Sequence, residues 1–111
     1  MAALLPGTLE MLILRTLTIE RMHGYAIAQH IARVSNNALV VEKGSLYPAL
    51  ERLQRQGWVT SKWAESATGR RARYYNITAS GRRALGEEVS AFREMNEAIA
   101  RVLNPEPKPG T

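Results

Sequence analysis

The sequence predicts a single, mainly helical domain with a small β-hairpin, of the α+β class. Three observations lead to this prediction. Stretches with apolar residues at helical spacing occupy the first half of the chain. Two stretches rich in β-forming residues flank a polar turn between residues 58 and 77. A heptad pattern then continues from residue 78 to residue 103. At 111 residues, the chain has little room for a second core.

Composition excludes several classes of protein. A hydrophobic fraction of 45% argues against disorder, and no apolar run approaches the roughly 18 residues of a membrane span. The chain has no cysteine, which excludes disulfides, thiolate metal sites and cysteine catalysis. The first residues lack the basic start and cleavage site of a signal peptide. We therefore expect a cytoplasmic protein with no membrane partner, no metal and no cofactor.

The first helix is predicted to begin after Pro6-Gly7, with Thr8 as its N-cap, and to run to about Glu20. Residues 11–14 are consecutive and apolar, so they cover most of the helix circumference and should be buried on more than one side. A second subunit is the natural cover for the side that the domain's own core leaves free. The alternative is that one small domain surrounds the helix completely.

A second helix is predicted after His23, with Ile27, Ile31 and Val34 as its apolar stripe. His23 and His30 have no carboxylate cluster beside them, so a metal site is not expected, and His23 should hydrogen-bond locally at the helix junction. Residues 39–41 are predicted to form a short strand.

The third helix lies within residues 42–58, where Leu46, Leu50 and Leu53 share one buried stripe. Gly57 follows at the position where a left-handed residue ends a helix. The outward positions are mostly polar: Ser45, Tyr47, Pro48, Glu51, Arg52 and Arg55. Such a helix can lie in the major groove of DNA. Taken alone, this helix is better explained as an ordinary amphipathic core helix with a solvated face, and the segments before and after it favour the DNA-binding interpretation.

The hairpin is predicted from strands at residues 58–63 and 72–77 with a tip at residues 65–70. Residues 58–77 carry four basic side chains against Glu65, a net charge of +3 within a chain of net charge +5. Three of the four are arginines at the tip and the start of the return strand: Arg70, Arg71 and Arg73. The element order is that of a winged helix-turn-helix, whose wing meets DNA phosphates or the minor groove. A merely basic surface is the alternative.

The last helix is predicted from a Thr78 cap to Leu103, near 39 Å at about 1.5 Å per residue. Its heptad seam contains one polar member: Leu85, Val89, Phe92, Asn96, Ile99 and Leu103. A second copy would cover a helix this long, with Asn96 setting the register; packing over the first helix is the alternative. The predicted division is a winged-helix domain at 1–77, a dimerisation helix at 78–103 and a disordered tail at 104–111.

Four segments together resemble the PadR family of bacterial transcriptional regulators. They are LLPGTLEMLIL (4–14), HGYAIA (23–28), EKGSLYPALERLQRQGW (42–58) and RRARYYNITASGR (70–82), in the family's order and spacing. The chain is most similar to the short, acidobacterial-type members with a single C-terminal helix. The resemblance implies a homodimeric repressor that binds double-stranded DNA at a palindromic promoter site.

The resemblance also implies site residues. The DNA-binding positions are Lys43, Gly44, Ser45, Tyr47, Pro48, Arg52, Arg70, Arg71 and Arg73. The dimer interface, formed by the first and last helices, contains Met11, Leu14, Leu85, Val89, Phe92, Asn96, Ile99 and Leu103. Some members are released from DNA by small aromatic or hydrophobic effectors bound near that interface. The tryptophans that such members carry in the last helix have no counterpart here, where Trp58 and Trp63 lie on the wing, so no ligand residues are assigned.

Two other functional classes fit the sequence less well. A winged-helix module that binds an acidic protein partner would show no preference among DNA sequences. It is disfavoured because the face with Pro48 and two arginines offers little apolar anchor. An enzyme is rejected, because no catalytic triad, paired carboxylate site or phosphate-binding glycine loop is visible.

Overall fold

The computed structural model describes residues 7–106, which form four helices and a three-stranded sheet. In chain order the elements are α1 (Thr8–Leu17), β1 (Met22–His23), α2 (Gly24–Val34), α3 (Lys43–Arg55), β2 (Val59–Glu65), β3 (Arg71–Ile77) and α4 (Ala79–Leu103). The predicted α+β class is confirmed. Among the helices of these residues, none combines the length and hydropathy that a membrane span requires.

The sheet is antiparallel with the strand order β1-β3-β2, and β2 and β3 form the predicted hairpin. The predicted short strand at residues 39–41 is wrong. The third strand is instead Met22–His23, which pairs with Tyr75 and Tyr74 of β3. Because β1 occupies one edge of β3 and β2 the other, no strand edge of β3 is left for residues 39–41. Leu39 and Val41 pack against the core as irregular chain.

The core lies where α1, α2 and α3 meet the base of the sheet. Leu46, Leu50 and Leu53 of α3 are buried, as their spacing predicted. Ile27 and Ile31 of α2 are buried too, but the prediction for Val34 is wrong. Val34 is 66% exposed because it is the last residue of α2, one turn beyond the part that the core covers.

Two helix ends differ from prediction. α1 begins at Thr8, and the N-cap is Gly7 with φ of 86°, so Thr8 is the first helical residue and not the cap. α1 ends at Leu17 and not near Glu20. Thr18 and Ile19 donate to carbonyls three residues back, Arg15 and Thr16, and these tighter turns take the chain out of the helix towards β1. α3 ends as predicted, before Gly57 with φ of 74°.

α4 begins as predicted at a Thr78 cap, whose hydroxyl accepts from the Gly81 backbone N–H at 3.0 Å. Its first turns pack on the domain through Ala84 and Leu85, whereas nearly every residue from Ser90 onwards is exposed. The molecule is therefore elongated, with extents of 68 × 29 × 22 Å. Residues 107–111 of the predicted tail lie outside the described residues.

The protomer itself buries the apolar run of α1. Met11 and Leu14 are core residues, and Leu85 of α4 is buried with them. The expectation that α1 needs a second subunit to cover Met11 and Leu14 is therefore wrong, because α2, α3 and the base of α4 surround the helix. On α4, by contrast, exposed apolar side chains follow one another from Phe92 to Leu103.

Candidate nucleic-acid interface

The exposed face of α3 carries the predicted contacts Lys43, Gly44, Ser45 and Pro48. Leu46, Ala49, Leu50 and Leu53 hold the opposite face in the core, which fixes the outward direction of the others. Pro48 lies inside the helix and has no N–H, so the Gly44 carbonyl cannot receive its usual intrahelical hydrogen bond from residue 48. This face therefore offers a backbone acceptor in addition to its side chains.

Tyr47 joins this face to the start of α2. Its side chain is 44% exposed, and its ring lies directly over Gly24, the first residue of α2. A Cβ atom at Gly24 would stand 2.8 Å from the Tyr47 hydroxyl oxygen. Only glycine at position 24 lets the Tyr47 ring take this position.

The two histidines have structural roles. Nδ1 of His23 accepts from the Ala26 backbone N–H at 3.1 Å and caps α2, so the predicted local hydrogen bond is confirmed. Nδ1 of His30 lies 3.2 Å from Nη2 of Arg33. Residues 7–106 contain no cluster of three or more His, Cys, Asp or Glu side chains that could hold a metal ion.

Arg52 lies on the side of α3 that faces α1. Its Nη2 donates to the Glu10 carboxylate at 2.8 Å, and its side chain is 50% exposed. Arg52 is among the predicted DNA-binding positions. In the structure it is held against the domain's own surface.

The three wing arginines occupy three different environments. Arg70 lies in the turn between β2 and β3, and no side chain within residues 7–106 binds its guanidinium. Arg71 lies over the ring of Trp63, 5.9 Å from its centroid. Arg73 turns back towards α3, where its Nε donates to Ser61 Oγ at 2.8 Å and its Nη2 to Gln54 Oε1 at 3.3 Å. Arg70 and Arg71 therefore project from the wing, and Arg73 does not.

Two clefts connect the wing to the helices. A cleft of about 710 Å³ between the start of α2 and the wing is lined by Tyr47, Trp63 and all three wing arginines. A second cleft, of about 540 Å³, separates α3 from β3. Both are lined by Tyr47, Arg73 and Tyr75. The structure thus brings Tyr47 and the wing arginines onto one surface and leaves Arg52 on the α1 side of α3.

Tyr75 forms the floor between the two clefts. Burial raises the pKa of its hydroxyl above the ordinary value of 10.0, the positive charge of Arg73 lowers that pKa in part, and Tyr47 raises it further. The guanidinium of Arg73 lies 5.9 Å from the centroid of the Tyr75 ring. The Tyr75 hydroxyl is accordingly neutral near pH 7.

Three residues that line these clefts beside the arginines were not predicted from the sequence: Tyr25, Gln54 and Trp63. Ser61, which accepts hydrogen bonds from Gln54 and Arg73, was not predicted either. A signal for two of them was present, because Ser61 and Trp63 alternate along β2 as Arg71, Arg73 and Tyr75 do along β3. The register places Ser61 opposite Tyr75 and Trp63 opposite Arg73, so these side chains share one face of the sheet.

The family comparison accounts for this architecture. A model of the PadR-like family of transcriptional regulators matches residues 13–87, which run from α1 through the wing into α4. This chain belongs to the PadR-like family. Its members are DNA-binding regulators and not enzymes, so the chain is a PadR-like transcriptional regulator with the family's winged-helix fold.

Individual relatives agree with this assignment. A transcriptional regulator of Mycobacterium tuberculosis is 34% identical over 78 residues, which cover 70% of this chain and 69% of the relative. The crystal structure of a PadR family regulator from Eggerthella lenta matches with a TM-score of 0.76 at 30% identity, covering 90% of this chain and 85% of that one. A transcriptional regulator from Clostridium thermocellum matches with a TM-score of 0.79 at 25% identity, covering 86% and 89%.

Proposed function

We propose that this PadR-like chain is a homodimeric repressor that binds a palindromic promoter site through α3 and the wing. The observation that carries the proposal is the cleft that Tyr47 of α3 lines together with the three wing arginines. α3 enters the major groove, and Arg70 and Arg71 bind phosphates that flank it. Lys43, Ser45 and Pro48 are the residues of α3 that face the bases and the adjacent backbone.

The proposed dimer rests on the far half of α4. Phe92, Asn96, Ile99 and Leu103 of the heptad seam are all exposed, and Met95 and Val102 extend the same apolar stripe. Two copies packed along this stripe would cover it. They would also present two α3 helices to DNA, with half-sites about 34 Å apart when they occupy adjacent turns.

The proposed effector site is the groove between α1 and the base of α4. Its volume is about 820 Å³, and its apolar lining includes Leu12, Val89 and Phe92. Small-molecule sites usually lie in the range of roughly 300–1,000 Å³ and are mostly apolar. A flat hydrophobic molecule in this groove would contact α1 and α4, next to the proposed dimer stripe.

The test is fluorescence-anisotropy binding to the duplex upstream of the chain's own gene and to a shuffled duplex of equal composition, at several salt concentrations. We expect tight binding to the native duplex with two chains per site, and weak, steeply salt-dependent binding to the shuffled one. Equal binding to both, across a set of candidate promoters, would contradict the proposal and favour a module that binds an acidic protein.

A further inference from the structure

Three polar side chains form a closed triangle of hydrogen bonds between α3 and the wing. Arg73 Nε donates to Ser61 Oγ at 2.8 Å, Gln54 Nε2 donates to the same oxygen at 2.9 Å, and Arg73 Nη2 donates to Gln54 Oε1 at 3.3 Å. The three residues come from β3, β2 and the last turn of α3. The triangle therefore joins α3 to both strands of the hairpin.

The chemistry of the triangle allows one arrangement only. Ser61 Oγ uses both acceptor positions, one for Arg73 and one for Gln54. If the Gln54 amide were turned over, its NH₂ group would face the Arg73 guanidinium, and two donors would oppose each other. Each member thus fixes the orientation of the other two.

The surroundings hold Arg73 in place as well. It lies opposite Trp63 in the strand register and beside the ring of Tyr75, which is buried. Arg70, three residues earlier, has no such partners within residues 7–106 and extends from the wing turn. The two arginines carry the same charge, but only one of them is oriented by the protein.

We propose that Arg73 is a positioning residue, which together with Gln54 and Ser61 sets the angle between α3 and the wing and thereby contributes to sequence preference. The inference rests on the proposed DNA-binding function and refines it. It differs from the expectation that Arg73 binds a phosphate as Arg70 and Arg71 do.

A fixed angle between α3 and the wing would pre-organise the protein for DNA. α3 and the wing must contact one duplex at the same time, and a wing that moves relative to α3 would have to be ordered on binding. The turn between α3 and β2 contains Gly57 in a left-handed conformation, and the Gly57 carbonyl accepts hydrogen bonds from the hydroxyls of Thr78 and Ser80. These contacts hold the base of the hairpin, and the triangle adds hydrogen bonds between α3 and the two strands beyond the turn.

The first part of the test needs no DNA. In ¹⁵N-correlated NMR spectra, a hydrogen-bonded arginine Nε–H exchanges slowly with water. One such signal should be present in the wild type and absent in Arg73→Lys, which assigns it to Arg73. In Ser61→Ala, we expect the same signal to exchange rapidly. Thr60→Ala is the matched control, because Thr60 precedes Ser61 on β2, lies on the opposite face and makes no side-chain hydrogen bond within residues 7–106. A rapidly exchanging Arg73 signal in the wild type would overturn the inference.

The second part measures binding to the native and shuffled duplexes. We expect Ser61→Ala and Arg73→Lys each to weaken native-duplex binding about tenfold, close to 1.4 kcal/mol, and to change shuffled-duplex binding little. The double variant should lose no more than either single variant, because both break the same triangle. Thr60→Ala should bind as the wild type does.

Three outcomes separate the alternatives. If Arg73→Lys binds like the wild type while Arg73→Ala lowers the salt slope by about one, Arg73 is a phosphate contact and the inference is wrong. Additive losses in the double variant would also overturn it. A wild-type protein without preference for any duplex would instead overturn the proposed function, and the NMR comparison would still decide whether the triangle orders Arg73.

Discussion

The guanidinium of Arg52 on α3 donates to the carboxylate of Glu10 on α1, with 2.8 Å between Nη2 and Oε1. The two residues are 42 positions apart, so the contact joins α3 to the first helix of the core. It also places a negative charge at the edge of the proposed DNA-binding face. An exposed pair of this kind contributes below about 1 kcal/mol to stability.

Glu10→Gln should strengthen binding to every duplex. Removing one negative charge near the phosphates should raise affinity about threefold at low salt, and the gain should fade as salt screens the charge. The free energy of unfolding should fall by less than about 1 kcal/mol. Anisotropy titrations at two salt concentrations measure the first effect, and urea denaturation the second. Glu88→Gln removes the same charge from α4 and is the control. If Glu10→Gln instead selectively lost binding to the native duplex, the complex would require the Arg52–Glu10 pair to be intact.

Arg70→Ala should weaken binding to native and shuffled duplexes alike. If Arg70 neutralises one phosphate, the slope of log affinity against log salt concentration should decrease by about 0.9. Arg101→Ala, which removes the same charge from the far end of α4, should leave both affinity and slope unchanged. A loss confined to the native duplex would assign Arg70 to base contacts instead.

Ile99→Asp should convert the proposed dimer to a monomer. Ile99 is half-exposed at the centre of the apolar stripe of α4, where a carboxylate would be buried without a partner between two copies. Sedimentation velocity should show the change in mass, and native-duplex affinity should fall with it. Ser90→Asp adds the same charge on the opposite side of α4 and should remain dimeric. A dimer of unchanged strength in Ile99→Asp would place the interface elsewhere.

Gly81→Ala should destabilise the fold by at least about 2 kcal/mol. A Cβ at position 81 would lie 2.2 Å from the Trp58 carbonyl oxygen and 2.9 Å from Cγ1 of Ile77, so α4 would have to move away from the sheet. Gly44→Ala is the contrasting variant, because it is also helical and has open space around it. It should be neutral or stabilising by about 0.5 kcal/mol. Urea denaturation compares the two variants. Equal stabilities would mean that α4 does not pack against Trp58 and Ile77 at position 81.

Tyr75 should make the fold sensitive to alkaline pH. The pKa of Tyr75 is raised in the folded state. Its contribution to the free energy of unfolding is therefore fully present below pH 10, the ordinary pKa, and is lost as pH rises from there through the folded pKa. The free energy of unfolding should therefore fall less steeply above pH 10 in Tyr75→Phe than in the wild type. Denaturation midpoints at a series of pH values measure this, with the exposed Tyr25→Phe as control. Identical pH profiles for the wild type and Tyr75→Phe would contradict the prediction.

The sequence predicted elements that depend on local periodicity. The leucines of α3, the Thr78 cap and the hairpin all follow from spacing or residue type within a few positions, and the structure confirms them. β1 could not be predicted in this way, because two residues become a strand only when a partner edge lies beside them.

In the candidate site too, features encoded by local sequence were predictable and tertiary contacts were not. The exposed positions of α3 and the arginine-rich wing were evident from the chain. The partners of Arg52 and Arg73 were not, since Glu10 and Gln54 reach them only through tertiary packing. The different environments of Arg70 and Arg73 require the strand register, which residue identity alone does not determine.

α4 runs without interruption from Ala79 to Leu103, so one rigid rod contains both its seat on the winged domain and the exposed apolar stripe. Each residue of an α-helix turns the chain by about 100° and advances it by about 1.5 Å. One residue inserted between Ser90 and Ala91 would therefore rotate the whole stripe relative to the wing, while seven would nearly restore its direction and move it outward by about 10.5 Å. The number of residues in this helix thus encodes the spacing and orientation of the DNA half-sites that the proposed dimer can span.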